Sequence, residues 1–150
     1  MPLQQLDLFQ WRLMIDAERT SEAYQHLAVG CNCSYCRNFL AVQAQLPTQV
    51  FHILQLLGVD PAKPAEIVEY TQNPDGSHLY SWWYHIIGQM RADRQRGNDA
   101  EEQLELTSDI RVSIAAKVDV APADFPRPVL QIEFFGNLPW VLDNEPDNQE

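Results

Sequence analysis

All three cysteines of this 150-residue chain lie within one short segment, Cys31-Asn32-Cys33-Ser34-Tyr35-Cys36. Thiolates are strong nucleophiles and soft metal ligands, and no other side chain in the chain combines the two properties. The spacing Cys33-x-x-Cys36 occurs both in zinc knuckles and in dithiol redox motifs. Any specific chemistry of the protein is therefore expected to start in this segment.

A zinc site needs about four nitrogen or sulfur ligands, of which the three cysteines could supply three. The fourth ligand would be a histidine, either His26, five residues upstream, or His85 on a predicted strand. The other two histidines are less suitable, because His52 shares the polar side of its predicted helix with Gln55 and His78 lies beside the predicted hairpin turn. The metal hypothesis therefore names Cys31, Cys33, Cys36 and His85, with zinc as the metal. A single Cys-x-x-Cys without a second Cys or His pair is a weak zinc signal.

Two other interpretations start from the same cysteines. At the N-terminus of a helix, Cys33 would lie at the positive end of the helix dipole, which favours the thiolate, and Cys36 would be its resolving partner. The motif does not follow a strand of a βαβ unit, so the thioredoxin context is missing. The simplest interpretation is that the cysteines are small buried residues at a helix start.

A short aromatic segment further along the chain is predicted to be a strand with two aromatic faces. Alternation places Tyr80, Trp82 and Tyr84 on one face and Trp83 and His85 on the other. Either this strand is central and covered on both sides, or the face without helices binds a ligand or a second copy of the chain. In the second case Tyr80, Trp82 and Tyr84 are the ligand-binding residues, and a homodimer is expected.

The elements that position these residues follow from apolar periodicity and turn signals. Strands are predicted at residues 6–15, 23–29, 67–71, 79–87, 110–118 and 129–135. Two helices are predicted at 34–46 and 47–57, since Ser34 can cap the first, Pro47 suits the first turn of the second and Gly58 ends it. The run Pro74-Asp75-Gly76 predicts a hairpin, and residues 16–22, 91–103 and 119–128 are expected to be turns or loops.

This order of elements indicates an α+β domain. We expect an antiparallel sheet of five or six strands, with a helical pair inserted after the first strands and packed on one face. Residues 1–142 would form a single globular domain, and residues 143–150 an acidic solvated tail. The sequence contains no βαβ rhythm, internal repeat or glycine-rich phosphate loop, so nucleotide binding has no support.

The composition limits the partners of the protein. The chain has 10 Lys and Arg against 21 Asp and Glu, a formal net charge of −11, which disfavours nucleic acids and anionic membranes as partners. No apolar run approaches the roughly 20 residues of a membrane span, and the N-terminus lacks the features of a signal peptide. A cytoplasmic location is therefore expected, where thiols are kept reduced.

Three segments of the chain carry a resemblance to known proteins. They are Cys31-Asn32-Cys33-Ser34-Tyr35-Cys36-Arg37-Asn38-Phe39, Leu57-Gly58-Val59-Asp60-Pro61 and Trp83-Tyr84-His85-Ile86-Ile87-Gly88. Together they resemble a family of small bacterial proteins of uncharacterised function with a CxCxxCRNF motif. The resemblance covers residues 31–88. It implies a bacterial cytosolic setting and one structural unit containing the cysteines, Pro61 and the aromatic strand, and it implies no activity or cofactor.

The sequence thus predicts a non-enzymatic, single-domain cytosolic protein that binds a ligand or partner and associates with itself. A small zinc protein using Cys31, Cys33 and Cys36 is the first alternative. A thiol redox protein using Cys33 and Cys36 is the second.

Overall fold

The computed structural model describes residues 3–27, 32–91, 103–116, 121–122, 124–143 and 146. The strands in these ranges are β1 (Gln4–Leu8), β2 (Trp11–Ile15), β3 (Glu66–Gln72), β4 (His78–Met90), β5 (Leu104–Glu105), β6 (Ile110–Ala115) and β7 (Val129–Leu138). The α-helices are α1 (Ala17–Gln25), α2 (Ser34–Val42) and α3 (Thr48–Leu57). Helices packed on an antiparallel sheet confirm the predicted α+β class.

The sheet is organised around β4, its longest strand in the described residues. The order of strands is β1-β2-β4-β7-β6-β5, with β3 also paired to β4, and every pairing is antiparallel. Strand β7 follows β4 along one edge from His78 to Ile87. On the other edge, β3 pairs with β4 as far as Trp83, and β2 pairs with it from Gly88 onward.

The aromatic residues of β4 form the centre of the core. Tyr80, Trp82 and Tyr84 have no exposed surface, and Phe39 of α2 contacts the Trp82 ring at 5.0 Å. Trp82 also stacks on Phe134 of β7 at 5.7 Å. Tyr80, Trp82 and Tyr84, which we expected to bind a ligand, therefore lie on the face that the helices cover. They are core residues and offer no side-chain surface to a ligand.

The first predicted strand, residues 6–15, is in fact the hairpin β1–β2. Its turn lies at Phe9 and Gln10, and Phe9 adopts a left-handed backbone with φ 57°. The two strands pair from Gln4 opposite Ile15 to Leu8 opposite Trp11. The apolar alternation changes phase at the adjacent residues Leu8 and Phe9, which is the sign of the break that the strand prediction overlooked.

The predicted turn at 16–22 and the described part of the predicted strand at 23–29 are also wrong, because most of this segment is helix α1. Asp16 caps the helix, accepting a hydrogen bond from the Arg19 N–H at 3.0 Å. The buried residues of α1 are Thr20 and Tyr24, four positions apart on one helix face. Because both carry hydroxyl groups, the buried face lacks the apolar stripe by which amphipathic helices are recognised.

Helix α1 supplies hydrogen bonds to the part of β4 that lies between β3 and β2. The His85 N–H donates to the Tyr24 hydroxyl at 2.9 Å, and that hydroxyl donates to the His85 carbonyl, also at 2.9 Å. The Ile87 N–H donates to the Thr20 hydroxyl at 3.0 Å, and the Asp16 N–H donates to the Ile87 carbonyl at 2.9 Å. Since buried backbone groups must be paired, these two hydroxyls and the Asp16 N–H replace the hydrogen bonds of a neighbouring strand.

Helix α3 ends at Gly58, as predicted, for two structural reasons. Gly58 has a φ of 80°, a left-handed conformation that glycine adopts at little cost. A Cβ atom at this position would also collide with the backbone carbonyl of Ala17. The glycine therefore allows the start of α1 to pass directly beside the end of α3.

The hairpin between β3 and β4 confirms the Pro-Asp-Gly prediction. Gly76 has a φ of 90°, and the Asn73 N–H donates to the Ser77 carbonyl at 2.7 Å. The Asp75 carboxylate accepts from the Ser77 hydroxyl at 2.6 Å and the Ser77 N–H at 2.9 Å. These hydrogen bonds lower the pKa of Asp75.

Some predicted element ends differ from those in the structure, and some predicted segments lie outside the described residues. Strand β6 ends at Ala115, three residues earlier than predicted, and β7 continues to Leu138, beyond the predicted end at 135. Most of the predicted loop at 91–103 and of the acidic tail at 143–150 lies outside the described residues. Within the described residues, no helix combines the length and the apolar character needed to cross a membrane.

Candidate functional site

The cysteine segment forms the start of helix α2. Cys33 is the N-cap residue, with an extended backbone, and its carbonyl accepts the Arg37 N–H at 2.9 Å. Ser34, which we predicted to be the cap, is instead the first helical residue. No side chain caps this helix by a hydrogen bond, and its first turn contains no acidic residue. The positive end of α2 is therefore next to a thiol rather than to an oxygen cap.

The two described cysteines differ in accessibility. Cys33 is partly exposed, whereas Cys36, one helical turn later, is only 3 % exposed. Both are present as thiols. Cys31, the third predicted metal ligand, lies outside the described residues.

Hydrogen bonds fix the start of α2 to the sheet and to the chain after β7. The Tyr80 hydroxyl donates to the Tyr35 carbonyl at 2.9 Å. The Asn38 amide donates to the Pro139 carbonyl at 3.0 Å, and its oxygen accepts the Val141 N–H at 2.7 Å. The cysteine turn thus has a structural role, whatever chemistry its thiols perform.

The Pro61 carbonyl is a hydrogen-bond acceptor for the aromatic strand and for the residue that follows α2. It accepts hydrogen bonds from the Tyr84 hydroxyl, at 2.8 Å, and from the Gln43 amide. Tyr84 belongs to the aromatic strand, and Gln43 directly follows α2. The helix that begins at the cysteines, the connection after α3 and strand β4 are therefore tied together by side-chain hydrogen bonds.

A carboxylate–imidazole pair lies beside this helix start. His78 Nδ1 and Glu69 Oε2 are 2.8 Å apart, and His78 is only 2 % exposed. The rings of Tyr35 and Trp140 contact the imidazole at 6.2 and 5.0 Å. Hydrogen bonding through one ring nitrogen fixes the orientation of the imidazole and of its other nitrogen.

The Tyr80 hydroxyl connects this pair electrostatically with the thiols. Burial raises its pKa, a hydrogen bond from Asn38 opposes the shift, and the nearby acidic groups Glu69, Cys36 and Cys33 raise it further. Tyr80 therefore stays protonated and acts as a hydrogen-bond donor. We refer to Cys33, Cys36, Glu69, His78 and Tyr80 together as the thiol site.

The described part of the thiol site is not a metal centre by itself. Among the residues that the structure describes, no three His, Cys, Asp or Glu side chains are close enough together to hold a metal ion. A zinc site at this position would need a further ligand or a change in side-chain positions, because zinc takes about four ligands at roughly 2.0–2.3 Å.

The structure separates His85, the predicted fourth ligand, from the cysteines. His85 alternates with Tyr84 on β4 and lies on the face opposite α2, where its ring contacts Phe125 at 6.1 Å. Its Nε2 is 3.2 Å from the Gln131 amide oxygen, to which it donates. The other predicted ligand, His26, is the exposed C-cap residue of α1.

The histidine close to the start of α2 is His78, whose ring contacts Tyr35 and which sequence reasoning had judged less suitable because it borders the hairpin turn. One signal could have revealed the Glu69–His78 pair. Both residues flank the predicted Pro-Asp-Gly hairpin, so a register including the bulge after Glu69 brings them close together on one face. The bulge itself has no sequence marker. Without the bulge, the alternation along β3 would place Glu69 on the opposite face of the sheet from His78.

Burial of His85 leads to a prediction about stability and pH. Desolvation lowers the pKa of His85 below its usual 6.5, the hydrogen bond with Gln131 opposes this, and the charge of Arg127 adds to it. Below about pH 6.5 the unfolded chain therefore binds a proton that the folded protein does not. The free energy of unfolding should fall as the pH drops from about 6.5 towards the lowered pKa, by at most ~1.4 kcal/mol per pH unit from this residue.

Urea denaturation between pH 7.5 and 5 would measure this dependence. His85→Gln keeps an amide donor for Gln131 and should show a flatter profile than the wild type. His52→Gln, at an exposed position of α3, should keep the wild-type slope. Equal slopes for the wild type and His85→Gln would contradict the assignment.

Comparison of the chain with protein-family models, with curated proteins and with solved structures gives no match. The resemblance to the CxCxxCRNF proteins therefore stays a prediction, and the functional argument depends on the geometry of the chain itself.

Proposed function

We propose that Cys33 and Cys36 form a dithiol that is reversibly oxidised to a disulfide by thiol–disulfide exchange. The observation that carries the proposal is the asymmetry of the pair at the start of α2. The N-cap cysteine is partly exposed and can be reached by a substrate, whereas the cysteine one turn later is buried and shielded from it. An accessible attacking thiol and a protected resolving thiol are the two parts that such exchange requires.

The exchange would proceed in two displacements. The Cys33 thiolate attacks one sulfur of a substrate disulfide, whose S–S bond breaks, and the departing sulfur takes up a proton. Cys36, after losing its proton, then attacks Cys33 Sγ and releases the second substrate sulfur as a thiolate, which is protonated. The protein dithiol loses two electrons and two protons, and the substrate disulfide gains them.

The surroundings of Cys36 support the second displacement. A buried thiol needs a nearby group that accepts its proton, and the Glu69–His78 pair and Tyr80 lie on the same face of the sheet. Tyr80 is held protonated and donates its hydrogen to the Tyr35 carbonyl, so it does not accept the proton. The Glu69–His78 pair is therefore the better acceptor.

Three single Cys→Ser variants test the proposal. The wild type and the variants would be equilibrated with reduced and oxidised glutathione, followed by intact mass measurement, maleimide labelling and peptide mapping. The wild type and Cys31→Ser, the matched control, should form the Cys33–Cys36 disulfide, whereas Cys33→Ser and Cys36→Ser should not. A wild type that keeps reactive thiols in oxidised glutathione, or a Cys31→Ser variant that forms no disulfide, would contradict the proposal.

Zinc binding is a second candidate, and the Glu69–His78 pair favours it. Metal-bound histidines usually donate their other ring nitrogen to a carboxylate, and His78 already has this arrangement through Nδ1. The same variants separate the two candidates. A zinc site should lose metal in Cys31→Ser as well as in Cys33→Ser and Cys36→Ser, as measured by elemental analysis of protein purified without chelator.

Self-association and non-enzymatic binding, which the sequence favours, stay predictions. Self-association is supported by an exposed aromatic side chain on β3, because Tyr70 is 52 % exposed and such side chains are enriched in protein interfaces. Light scattering coupled to size-exclusion chromatography would measure the mass in solution. A dimer that dissociates in Tyr70→Lys would support association through this strand, and a monomer at high protein concentration would exclude it.

A further inference from the structure

A polar cleft lies between α1 and the end of α3, in a region that the thiol site does not use. It has a volume of about 460 Å³, within the range of roughly 300–1,000 Å³ typical of small-molecule sites. Its walls contain the hydroxyl of Ser21 and the amides of Gln25 and Gln55, and its floor includes the buried Tyr24 and Val59. The cleft therefore combines an apolar floor with polar walls.

Two opposite charges line this cleft at the ends of one tight turn. Asp60 and Lys63 are its first and fourth residues, and the Lys63 N–H donates to the Asp60 carbonyl at 3.1 Å. The Cα atoms of such residues are within about 7 Å of each other. An ammonium and a carboxylate from one turn therefore both line the cleft.

Each charged group makes one hydrogen bond that fixes its position and has capacity for others. Lys63 Nζ donates one of its three hydrogens to the Tyr24 carbonyl at 2.7 Å, near the end of α1. Asp60 Oδ1 accepts the Ala62 N–H at 3.0 Å. Burial is the main reason that the pKa values of Tyr24 and Tyr84 are raised, and the charge of the Asp60 carboxylate raises them further.

We infer that this cleft binds a free α-amino acid through its zwitterionic head group. The ligand ammonium would pair with Asp60 and the ligand carboxylate with Lys63, while the side chain would extend between the two glutamine amides. A simple anion would be repelled by the Asp60 carboxylate, and a simple amine would be repelled by the Lys63 ammonium. A ligand that carries both charges on one carbon satisfies both groups at once. The inference does not depend on the proposed dithiol.

The probe is L-alanine, compared with its two halves. Ethylamine keeps the ammonium of alanine without the carboxylate, and propionate keeps the carboxylate without the ammonium. In a titration followed by ¹⁵N–¹H correlation spectra, L-alanine should shift the amide resonances of residues 58–63 and of the end of α1 saturably. Each half should bind at least about tenfold more weakly.

Two conservative variants test the assigned groups. Asp60→Asn keeps an acceptor for the Ala62 N–H, and Lys63→Gln keeps a donor near the Tyr24 carbonyl, so the same spectra report whether each variant is folded. Both should weaken L-alanine binding by about tenfold or more, whereas Glu105→Gln, at an exposed position of β5, should bind like the wild type. No saturable shift with L-alanine, equal binding of ethylamine or propionate, or wild-type affinity in both folded variants would overturn the inference.

Discussion

Replacement of Tyr24 by Phe is expected to lower the free energy of unfolding by about 2–5 kcal/mol, although only one oxygen atom is removed. The hydroxyl is hydrogen-bonded to both the N–H and the carbonyl of His85, in a part of β4 where neither β3 nor β2 is paired with it. Without the hydroxyl, two buried backbone groups lose their partner, and each such loss costs about 1–3 kcal/mol. Burial raises the pKa of Tyr24, so the hydroxyl remains a donor at every pH at which the protein is studied.

Urea denaturation of matched variants would measure this effect. Tyr70→Phe removes the same atom from an exposed side chain and should change the free energy of unfolding by less than about 0.5 kcal/mol. Thr20→Val removes the acceptor of the Ile87 N–H and should cost about 1–3 kcal/mol. If Tyr24→Phe were as stable as Tyr70→Phe, α1 would not be replacing a strand beside β4.

Replacement of Asn38 by Ala is expected to cost about 2–4 kcal/mol and to expose Cys36 to alkylating reagents in the folded protein. The Asn38 side chain has no exposed surface and holds the chain after β7 through the Pro139 carbonyl and the Val141 N–H. Without the Asn38 amide, the Pro139 carbonyl and the Val141 N–H lose a hydrogen-bond partner. The contact between α2 and the sheet is then loosened, and this contact buries Cys36.

Native-state alkylation with mass spectrometric readout would compare the wild type, Asn38→Ala and a control. Gln45→Ala, at an exposed position just after α2, should leave both the stability and the protection of Cys36 unchanged. Increased labelling of Cys36 in Asn38→Ala alone would show that docking of the helix controls access to the second thiol. Equal protection in all three proteins would refute that coupling.

The predictions from sequence succeeded where the signal was local. The Pro-Asp-Gly turn specified the β3–β4 hairpin because proline fixes φ and Gly76 accepts a positive φ. Gly58 specified the end of α3 for the same conformational reason. Strand β6 was predicted from alternation, although Ser113 and Ala115 on its other face are also buried.

The failures have a common physical cause in contacts between distant parts of the chain. Helix α1 buries Thr20 and Tyr24 because their hydroxyls reach backbone groups more than sixty residues away. No local pattern encodes such a partner. The turn at Phe9 was missed because its only marker is a change in the phase of alternation at Leu8 and Phe9, and a left-handed phenylalanine carries no sequence signal comparable to glycine.

For the candidate site, the sequence by itself determined the pair Cys33-x-x-Cys36, its place at a helix start and the existence of two aromatic faces on β4. Only the tertiary structure decided which face the helices cover, and hence that Tyr80, Trp82 and Tyr84 are core residues. It also decided that His78, rather than His85, lies on the face that α2 covers, where its ring contacts Tyr35. Spacing along a strand defines two faces but not the partner of either, since that depends on how the helices pack and on the register of neighbouring strands.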